Sequence, residues 1–273
     1  MADLIKVIIL GIVEGITEFL PISSTGHLIV ASALLDFQFA DDSTFEIFIQ
    51  LGAIVAVVGF YRFQIWEQVR TVPTDQGVQH FWLAIIIASI PAAIMGFTFG
   101  DWITENLFSP TVVAISLIIG GIAFIFIETR YLKDVDNKGD DEIKLSEVTF
   151  KQALMVGVAQ TLALIPGVSR SGASIFGGLF GGMNRSLATT FSFYLSIPVL
   201  GGATIVTLLR NFSEFNTDEL MYLVVGAIVS GIIAWFAIGW LLRYVARNNF
   251  ITFGYYRIIA GIIILLLVVG DIL

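Results

Sequence analysis

The sequence predicts an all-α polytopic membrane protein with six transmembrane helices and two re-entrant helical hairpins. The chain of 273 residues is 57% hydrophobic and 13% charged, and its mean hydropathy is +0.91. Soluble domains carry about 25% charged residues, so this composition excludes a soluble helical protein. Six apolar stretches are long enough to cross a bilayer, and two further apolar segments are interrupted by polar motifs.

The predicted transmembrane helices are runs of about 20 mostly apolar residues, the length that a bilayer core requires. In chain order they cover residues 45–61, 82–100, 111–130, 188–209, 219–242 and 254–272. The longest hydrophilic segment, about residues 131–149, is predicted to be a solvated loop that joins the two halves of the chain. The whole chain, residues 1–273, is predicted to form a single membrane domain.

Two apolar segments, residues 4–35 and 150–183, carry the polar motifs near their centres. Each half of such a segment is too short to span at about 1.5 Å of rise per residue, so each segment is predicted to enter and leave on one face. Three full spans separate the two hairpins, so the second hairpin enters from the opposite face. The halves, about residues 4–130 and 150–273, are therefore predicted to form an inverted-topology repeat.

Internal sequence matches accompany this predicted repeat. A shift of 146 positions aligns Ser23 with Ser169 and Gly26 with Gly172. The same shift aligns Gly11 with Gly157. The matches are few, and their weight comes from their position in and beside the two motifs.

The distribution of Lys and Arg predicts the orientation of the chain, because cytoplasmic loops carry an excess of positive charge. With both termini outside, only Lys6 and Arg210 fall in external segments. The residues then assigned to internal loops are Arg62, Arg70, Arg130, Lys133, Lys138, Lys144, Lys151, Arg185, Arg243, Arg247 and Arg257. The first hairpin is accordingly predicted to open toward the outer face.

The charge and cysteine content exclude several classes of function. The net charge of −8 argues against nucleic acid as a partner. The chain has no cysteine, which excludes disulfides, thiolate catalysis and cysteine metal sites. The nucleotide-binding and zinc-peptidase motifs are also absent from the sequence.

The first motif, EGITEFLPISSTGH at residues 14–27, offers two carboxylates, four hydroxyls and an imidazole at membrane depth. Polar groups there are costly and are by default functional candidates. Glu14 and Glu18 are four residues apart and share a helix face, where a Mg²⁺ or Ca²⁺ ion or a shared proton would relieve their repulsion. His27 is a candidate base or nucleophile. The candidate hydroxyls beside it are those of Ser23, Ser24 and Thr25.

The second motif, PGVSRSGAS at residues 166–174, is predicted to bind an anion. The guanidinium of Arg170 presents a planar fork that matches phosphate oxygens. Hydroxyls and N–H groups at a helix start add further donors. These are assigned to Ser169, Ser171, Gly172 and Ser174. The Ser174 hydroxyl could instead bond back to its own helix, and Arg170 could pair with Glu14 or Glu18.

Together the two motifs resemble the undecaprenyl-diphosphate phosphatase family of bacteria, also called bacitracin resistance proteins, and the resemblance extends over the whole chain. It implies a multi-pass hydrolase of the bacterial cytoplasmic membrane that converts undecaprenyl diphosphate to the monophosphate with the help of a divalent cation. Its implied role is to recycle the lipid carrier of cell-wall synthesis, with bacitracin resistance as a consequence and a site on the outer face. The implied site residues are Glu14, Glu18, Ser24, His27 and Arg170, lined by Ser23, Thr25, Ser169 and Ser171.

The residues leave the chemical mechanism open. Arg170 is predicted to bind the diphosphate while Glu14 and Glu18 hold Mg²⁺ or Ca²⁺. Ser24 could attack phosphorus with His27 as its base, His27 could itself be the nucleophile, or water could attack directly. A transporter or flippase of a polyprenyl phosphate lipid is the alternative function, because inverted repeats and broken helices are typical of transporters. A homodimer also remains open.

Overall fold

The computed structural model describes residues 2–37, 42–132, 144–211 and 217–273. The described residues form helices joined by short connections, and no strand occurs among them. The α-helices are α1 (Ala2–Thr17), α2 (Ser24–Leu34), α3 (Asp42–Phe60), α4 (Arg62–Thr71), α5 (Gln76–Leu107), α6 (Pro110–Arg130), α7 (Phe150–Gln160), α8 (Arg170–Phe180), α9 (Arg185–Asn211), α10 (Thr217–Val245) and α11 (Ile251–Val269). Short 3₁₀ turns lie at Leu145–Glu147 and Thr161–Leu164.

The long apolar helices agree with the prediction of a multi-pass membrane protein. Five of them, namely α5, α6, α9, α10 and α11, are long and apolar enough to cross a bilayer. A sixth candidate is the pair α3 and α4, which bends by 70° at Tyr61. Each of the six predicted stretches therefore coincides with a helix.

Helix α4 corrects the predicted loop at residues 61–81. Its large apolar side chains are exposed, with Phe63 at 69% and Trp66 at 57%, and they alternate with polar residues. The guanidinium of Arg70 lies 4.7 Å from the Trp66 ring centroid. The segment is too polar to cross a bilayer by itself, and its mixture of apolar and polar residues suits a short amphipathic helix.

The helix breaks fall on the two polar motifs. Helix α1 ends at Thr17 and α2 starts at Ser24, while the second break runs from Gln160 to Arg170 and includes a 3₁₀ turn. The two halves of each broken segment pack against each other. The positions of both breaks thus agree with the sequence.

Each broken segment packs against a helix from the other half of the chain. Helix α1 packs along α10, and α7 packs along α5. A Cβ added at Gly11 would lie 2.8 Å from the carbonyl oxygen of Gly226, and one at Gly157 would lie 2.5 Å from that of Ala88. Both contacts are too close for any residue except glycine. The aligned glycines therefore perform the same packing role in the two halves.

Two arginines assigned to loops are buried, which corrects the sequence prediction. Arg257 lies inside α11 and is fully buried, and Arg185 at the start of α9 is 5% exposed. Arg185 Nη2 pairs with Glu128 Oε2 at 2.5 Å, and the N–H of Phe250 donates to Glu128 Oε1 at 3.0 Å. The ion pair joins α6, α9 and the start of α11. Of the other nine charges assigned to internal loops, Lys133 and Lys138 lie outside the described residues, as does most of the predicted loop at about residues 131–149.

Replacing Arg185 with alanine is expected to destabilise the fold by about 3–5 kcal/mol, because it leaves the Glu128 carboxylate buried without its cationic partner. Thermal unfolding in detergent measures this loss. Arg130→Ala, an exposed change at the end of α6, is the matched control and should shift the midpoint little. An Arg185→Ala protein as stable as the wild type would show that the pair contributes no net stability.

Candidate active site

The first helix break positions Ser24 by means of an unusual backbone conformation. Ser23 has φ 72° and ψ 99°, in the region that side chains other than glycine rarely adopt. Ser169 in the second break has nearly the same conformation, with φ 74° and ψ 113°. Backbone strain of this kind concentrates at functional sites. The aligned serines thus precede α2 and α8 with the same backbone conformation, although only the Ser169 side chain caps its helix.

Glu18 connects the two motifs through both of its carboxylate oxygens. Arg170 Nη2 donates to Glu18 Oε1 at 2.8 Å, and Ser24 Oγ donates to Glu18 Oε2 at 2.5 Å. The Glu18 side chain is 5% exposed and that of Arg170 is 11% exposed. A charge pair shielded in this way from water is held much more firmly than one at the surface. The structure therefore assembles one site from residues 152 positions apart.

Arg170 is held from the side by helix α9. Its Nη1 donates to the carbonyl oxygen of Ser192 at 3.0 Å and approaches the Ser192 hydroxyl at 3.4 Å. The Ser192 hydroxyl also contacts Ser174 Oγ at 2.6 Å, and Ser174 donates back to the carbonyl of Arg170 at 2.9 Å. Ser174 thus performs the back-bonding role. Ser192 was not identified from the sequence, because a serine within a long apolar helix resembles many others.

A cavity of about 220 Å³ lies between the two breaks. Its lining contains both polar and apolar side chains. The polar lining residues are Glu18, Ser23, Ser24, Thr25, Gln50, Gln160, Ser169 and Arg170. The apolar lining residues include Ala92, Phe108, Ala163, Leu164, Val199, Leu200 and Ala203. The space suits a phosphate or diphosphate group, whereas a long prenyl chain must extend beyond it.

Three predicted substrate-binding residues lie behind the cavity wall. Ser171 Oγ donates to the carbonyl of Leu20 at 2.9 Å, which ties α8 to the first break. The N–H of Gly172 donates to Ser169 Oγ at 3.1 Å, and Ser174 bonds within the protein as described. Their polar groups are therefore used to hold the second break in place. Ser169 is the member of this predicted set that lines the cavity beside Arg170.

His27 lies in the first motif as predicted, but its ring contacts groups other than Ser24. Nδ1 lies 2.7 Å from the carbonyl oxygen of Ser23, and Nε2 lies 2.7 Å from the hydroxyl of Tyr256. A carbonyl only accepts, so Nδ1 carries a proton, and in a neutral ring Nε2 then accepts from the Tyr256 hydroxyl. The side chain that is hydrogen-bonded to Ser24 is that of Glu18. Tyr256 was missed because it follows the motif by more than two hundred residues.

Glu14 supplies the second carboxylate, on the same face of α1 as Glu18. Its side chain is fully buried, and within the described part of the chain its carboxylate interacts with that of Glu18 but makes no hydrogen bond of good geometry. Glu46 and Arg170 also lie within electrostatic range of it. A buried carboxylate is costly, so either a cation or a proton shared with Glu18 would stabilise Glu14.

The carboxylates fit Mg²⁺ or Ca²⁺ only in combination with ligands from elsewhere. Among the described residues, no group of three or more His, Cys, Asp or Glu side chains is arranged to hold a metal ion. Glu14 and Glu18 nevertheless offer hard oxygen donors, and Mg²⁺ commonly binds through one or two carboxylates together with substrate phosphates and water. The donor set therefore fits a cation that binds with a phosphorylated ligand.

The buried side chain of Arg257 donates hydrogen bonds to the backbone of both helix breaks. Its Nη1 donates to the carbonyls of Pro21 at 3.2 Å and Val168 at 3.0 Å. Its Nη2 donates to those of Gly167 at 2.9 Å and Ser116 at 3.3 Å. Carbonyls freed by a broken helix need donors within the protein when they are buried. The role of Arg257 as a hydrogen-bond donor to both breaks was not predicted from the sequence, because the residue lies near the start of an apolar run and was assigned to a loop.

The fold and the site define a polytopic helical membrane protein with a buried polar site at two helix breaks. The chain belongs to the bacitracin resistance protein BacA family, whose sequence model matches residues 7–263. The undecaprenyl-diphosphatase of Methylobacillus flagellatus is 48% identical over 262 residues, covering 96% of this chain and 97% of the relative. The undecaprenyl-diphosphatase of Deinococcus radiodurans is 43% identical, covering 99% and 97% respectively.

Proposed function

We propose that this chain hydrolyses undecaprenyl diphosphate to undecaprenyl phosphate and inorganic phosphate. The single observation that carries the proposal is Glu18, which contacts both a hydroxyl nucleophile, Ser24, and an anion-binding group, Arg170. The names of the relatives support the same substrate. The reaction would return the lipid carrier to cell-wall synthesis, and the family name connects it with bacitracin resistance.

In the proposed mechanism the terminal phosphate occupies the cavity beside Arg170. The guanidinium of Arg170 lines this cavity, so it is available to bind phosphate oxygens. Ser24 Oγ attacks phosphorus and transfers its proton to Glu18, while undecaprenyl phosphate leaves with the bridging oxygen. Water then cleaves the phosphoserine, with Glu18 assisting, to give inorganic phosphate. Attack by His27 is less favoured, because both ring nitrogens are engaged.

A divalent cation would bind between Glu14, Glu18 and the diphosphate. Mg²⁺ or Ca²⁺ at this position would neutralise charge on the phosphate oxygens. The buried carboxylates of Glu14 and Glu18 support this placement. Loss of activity in EDTA is the corresponding expectation.

We also propose that the two broken segments are re-entrant hairpins related by an inverted repeat. The matching conformations of Ser23 and Ser169 support the relation, as do the matched contacts of Gly11 and Gly157. In this arrangement the site opens toward the outer face of the bacterial cytoplasmic membrane. The distribution of Lys and Arg in the loops is the supporting observation.

Phosphate release from undecaprenyl diphosphate by the purified protein in detergent tests the proposal. Wild type is measured with Mg²⁺ and with EDTA, beside Ser24→Ala, Arg170→Ala and the control His80→Ala, whose histidine contacts the Val148 carbonyl. We expect metal-dependent release that both site variants lose and the control retains. Absence of release by folded wild-type protein would favour the transporter alternative, which a vesicle flux assay would then examine.

The position of a trapped phosphate identifies the nucleophile. Acid quenching during turnover preserves a phosphoserine, whereas a phosphohistidine is lost in acid and survives in base. We expect an acid-stable phosphate on the peptide that contains Ser24. A base-stable, acid-labile phosphate on His27 would overturn the proposed role of Ser24 and leave the hydrolysis itself intact.

A further inference from the structure

Helices α5 and α9 contact each other closely at one end. The ring of Phe81 packs edge-on against those of Phe191 and Tyr194, with centroids 6.3 Å and 5.1 Å apart. The Trp82 ring also meets Tyr194, at 6.0 Å. This aromatic cluster closes the interface between the two helices on one side of the bundle.

Beyond a proline in each helix the same two helices offer open space. Pro91 lies inside α5 and Pro198 inside α9, and an internal proline removes a helix hydrogen bond and bends the helix. A Cβ added at any of four following glycines would meet no heavy atom within 4 Å. These glycines are Gly96 and Gly100 in α5 and Gly201 and Gly202 in α9.

The large side chains of α5 after the proline are also exposed. Phe97 is 76% exposed, Ile94 is 59% exposed and Trp102 is 57% exposed. Residues this apolar suit contact with the hydrocarbon of a bilayer. This part of α5 therefore faces the bilayer and leaves a gap beside α9.

The helix pair that the proposed repeat relates to α5 and α9 is closed. Helix α3 packs along α10 so tightly that a Cβ on Gly52 would overlap the backbone of Ala227. A Cβ on Gly231 would likewise lie 2.9 Å from the Gly52 carbonyl. The proposed repeat relates α3 and α10 to α9 and α5. The two related interfaces therefore differ, and the open one, between α5 and α9, adjoins the cavity.

The cavity meets this opening through the residues that directly follow the prolines. Ala92 and Val199 line the cavity, together with Leu200 and Ala203. Glu18 and Arg170 line the same cavity. An amphiphile with a phosphorylated head and an apolar chain matches this mixed lining.

We propose that the gap between α5 and α9 beyond Pro91 and Pro198 is the passage occupied by the prenyl chain of the substrate. The diphosphate then reaches Arg170 while the chain extends between Ala92 and Ala203 into the bilayer. This inference rests on the proposed function and adds to it the route of the lipid. Ala92 and Ala203 become determinants of chain-length specificity.

Two other apolar grooves are less suitable for the chain. One of about 540 Å³ lies between α3 and α10 around Trp235, and one of about 370 Å³ lies between α1 and α10 around Ile16. Neither shares a lining residue with the cavity. Ile16 also lies two residues from both Glu14 and Glu18, on the opposite side of the helix from them. A chain in these grooves could not continue directly from a head group at Arg170.

Substitutions that narrow the gap test the proposal by chain length. Ala92→Phe and Ala203→Phe are compared with Ala93→Phe, an exposed neighbour on α5 that does not line the cavity. The value of kcat/KM is measured for undecaprenyl diphosphate and for the much shorter farnesyl diphosphate. We expect the two lining variants to lose about tenfold or more with the long substrate and much less with the short one. The Ala93→Phe control should retain both activities.

The possible results separate the route from the reaction. An equal loss of kcat/KM with both substrates, or no loss with either, would contradict the proposed passage. Turnover by the wild-type protein would still support the proposed function in that case. Wild-type protein that releases no phosphate from either lipid would instead contradict the proposed function. Monodisperse elution and an unchanged unfolding midpoint establish that each variant is folded, and Ala92→Leu and Ala203→Leu replace any variant that is not.

A labelling experiment examines the same passage without turnover. Because the chain has no cysteine, Ala203→Cys introduces a single thiol whose reaction with a maleimide can be followed by mass. Undecaprenyl phosphate is expected to slow this reaction several-fold, and inorganic phosphate at the same concentration is expected not to. Equal protection by both ligands, or protection by neither, would place the chain elsewhere.

Discussion

Replacement of Glu18 by glutamine is expected to lower phosphate release by about 10³-fold while the protein remains folded. Glutamine retains the shape of the side chain, but it can neither accept the proton of Ser24 nor pair its charge with Arg170. General bases typically contribute 10²- to 10⁴-fold to a rate. Single-turnover phosphate release measures the effect, and Glu67→Gln, an exposed change on α4, serves as the control.

A double-mutant cycle with Ser24→Ala separates the roles of Glu18. If Glu18 acts through Ser24, the double variant should be no slower than the slower single variant. Multiplied losses would assign Glu18 an independent role, such as holding the cation with Glu14. A Glu18→Gln protein with more than a tenth of wild-type activity would contradict the base assignment altogether.

Replacement of Arg257 by alanine is expected to abolish activity and to destabilise the protein by roughly 4 kcal/mol or more. The change leaves buried carbonyls of Pro21, Gly167 and Val168 without their donor, and each unsatisfied buried group costs about 1–3 kcal/mol. Both helix breaks would relax, so Ser24 and Arg170 would lose their alignment. Thermal unfolding and phosphate release measure the two effects, with the exposed Arg243→Ala as the control.

The conservative variant Arg257→Lys distinguishes positioning from stability alone. Lysine keeps a buried charge but cannot present a planar fork to carbonyls on two separate breaks. We expect it to fold and to lose much more in kcat than in KM, because the head group still binds while the nucleophile is misplaced. Wild-type kcat in Arg257→Lys would show that Arg257 only stabilises the fold.

The sequence identified the main elements of the site because polar groups are conspicuous in an apolar chain. Both helix breaks lie where proline and glycine accompany hydroxyls, at Pro21 and at Pro166–Gly167. The predicted pairing of a motif carboxylate with Arg170 is present in the structure. These features depend on local composition and on the cost of burying charge, and both can be evaluated residue by residue.

The partners of the predicted residues required the tertiary structure. Tyr256 and Arg257 lie on α11, far along the chain from the breaks that they contact. Ser192 and the buried pair of Glu128 and Arg185 likewise depend on how α6, α8 and α9 pack. No periodic pattern identifies such contacts, because helices that face lipid are apolar on every side.

By itself, the sequence of this protein determined its class, the positions of its helix breaks and the polar motif residues that lie at them. The tertiary structure decided that Glu18 rather than His27 is the partner of Ser24, and that α5 and α9 leave a gap beside the cavity. The physical reason is the distance along the chain over which each effect acts. Helix propensity and the cost of buried charge act locally, whereas the direction of a side chain in the site is set by close packing between distant segments.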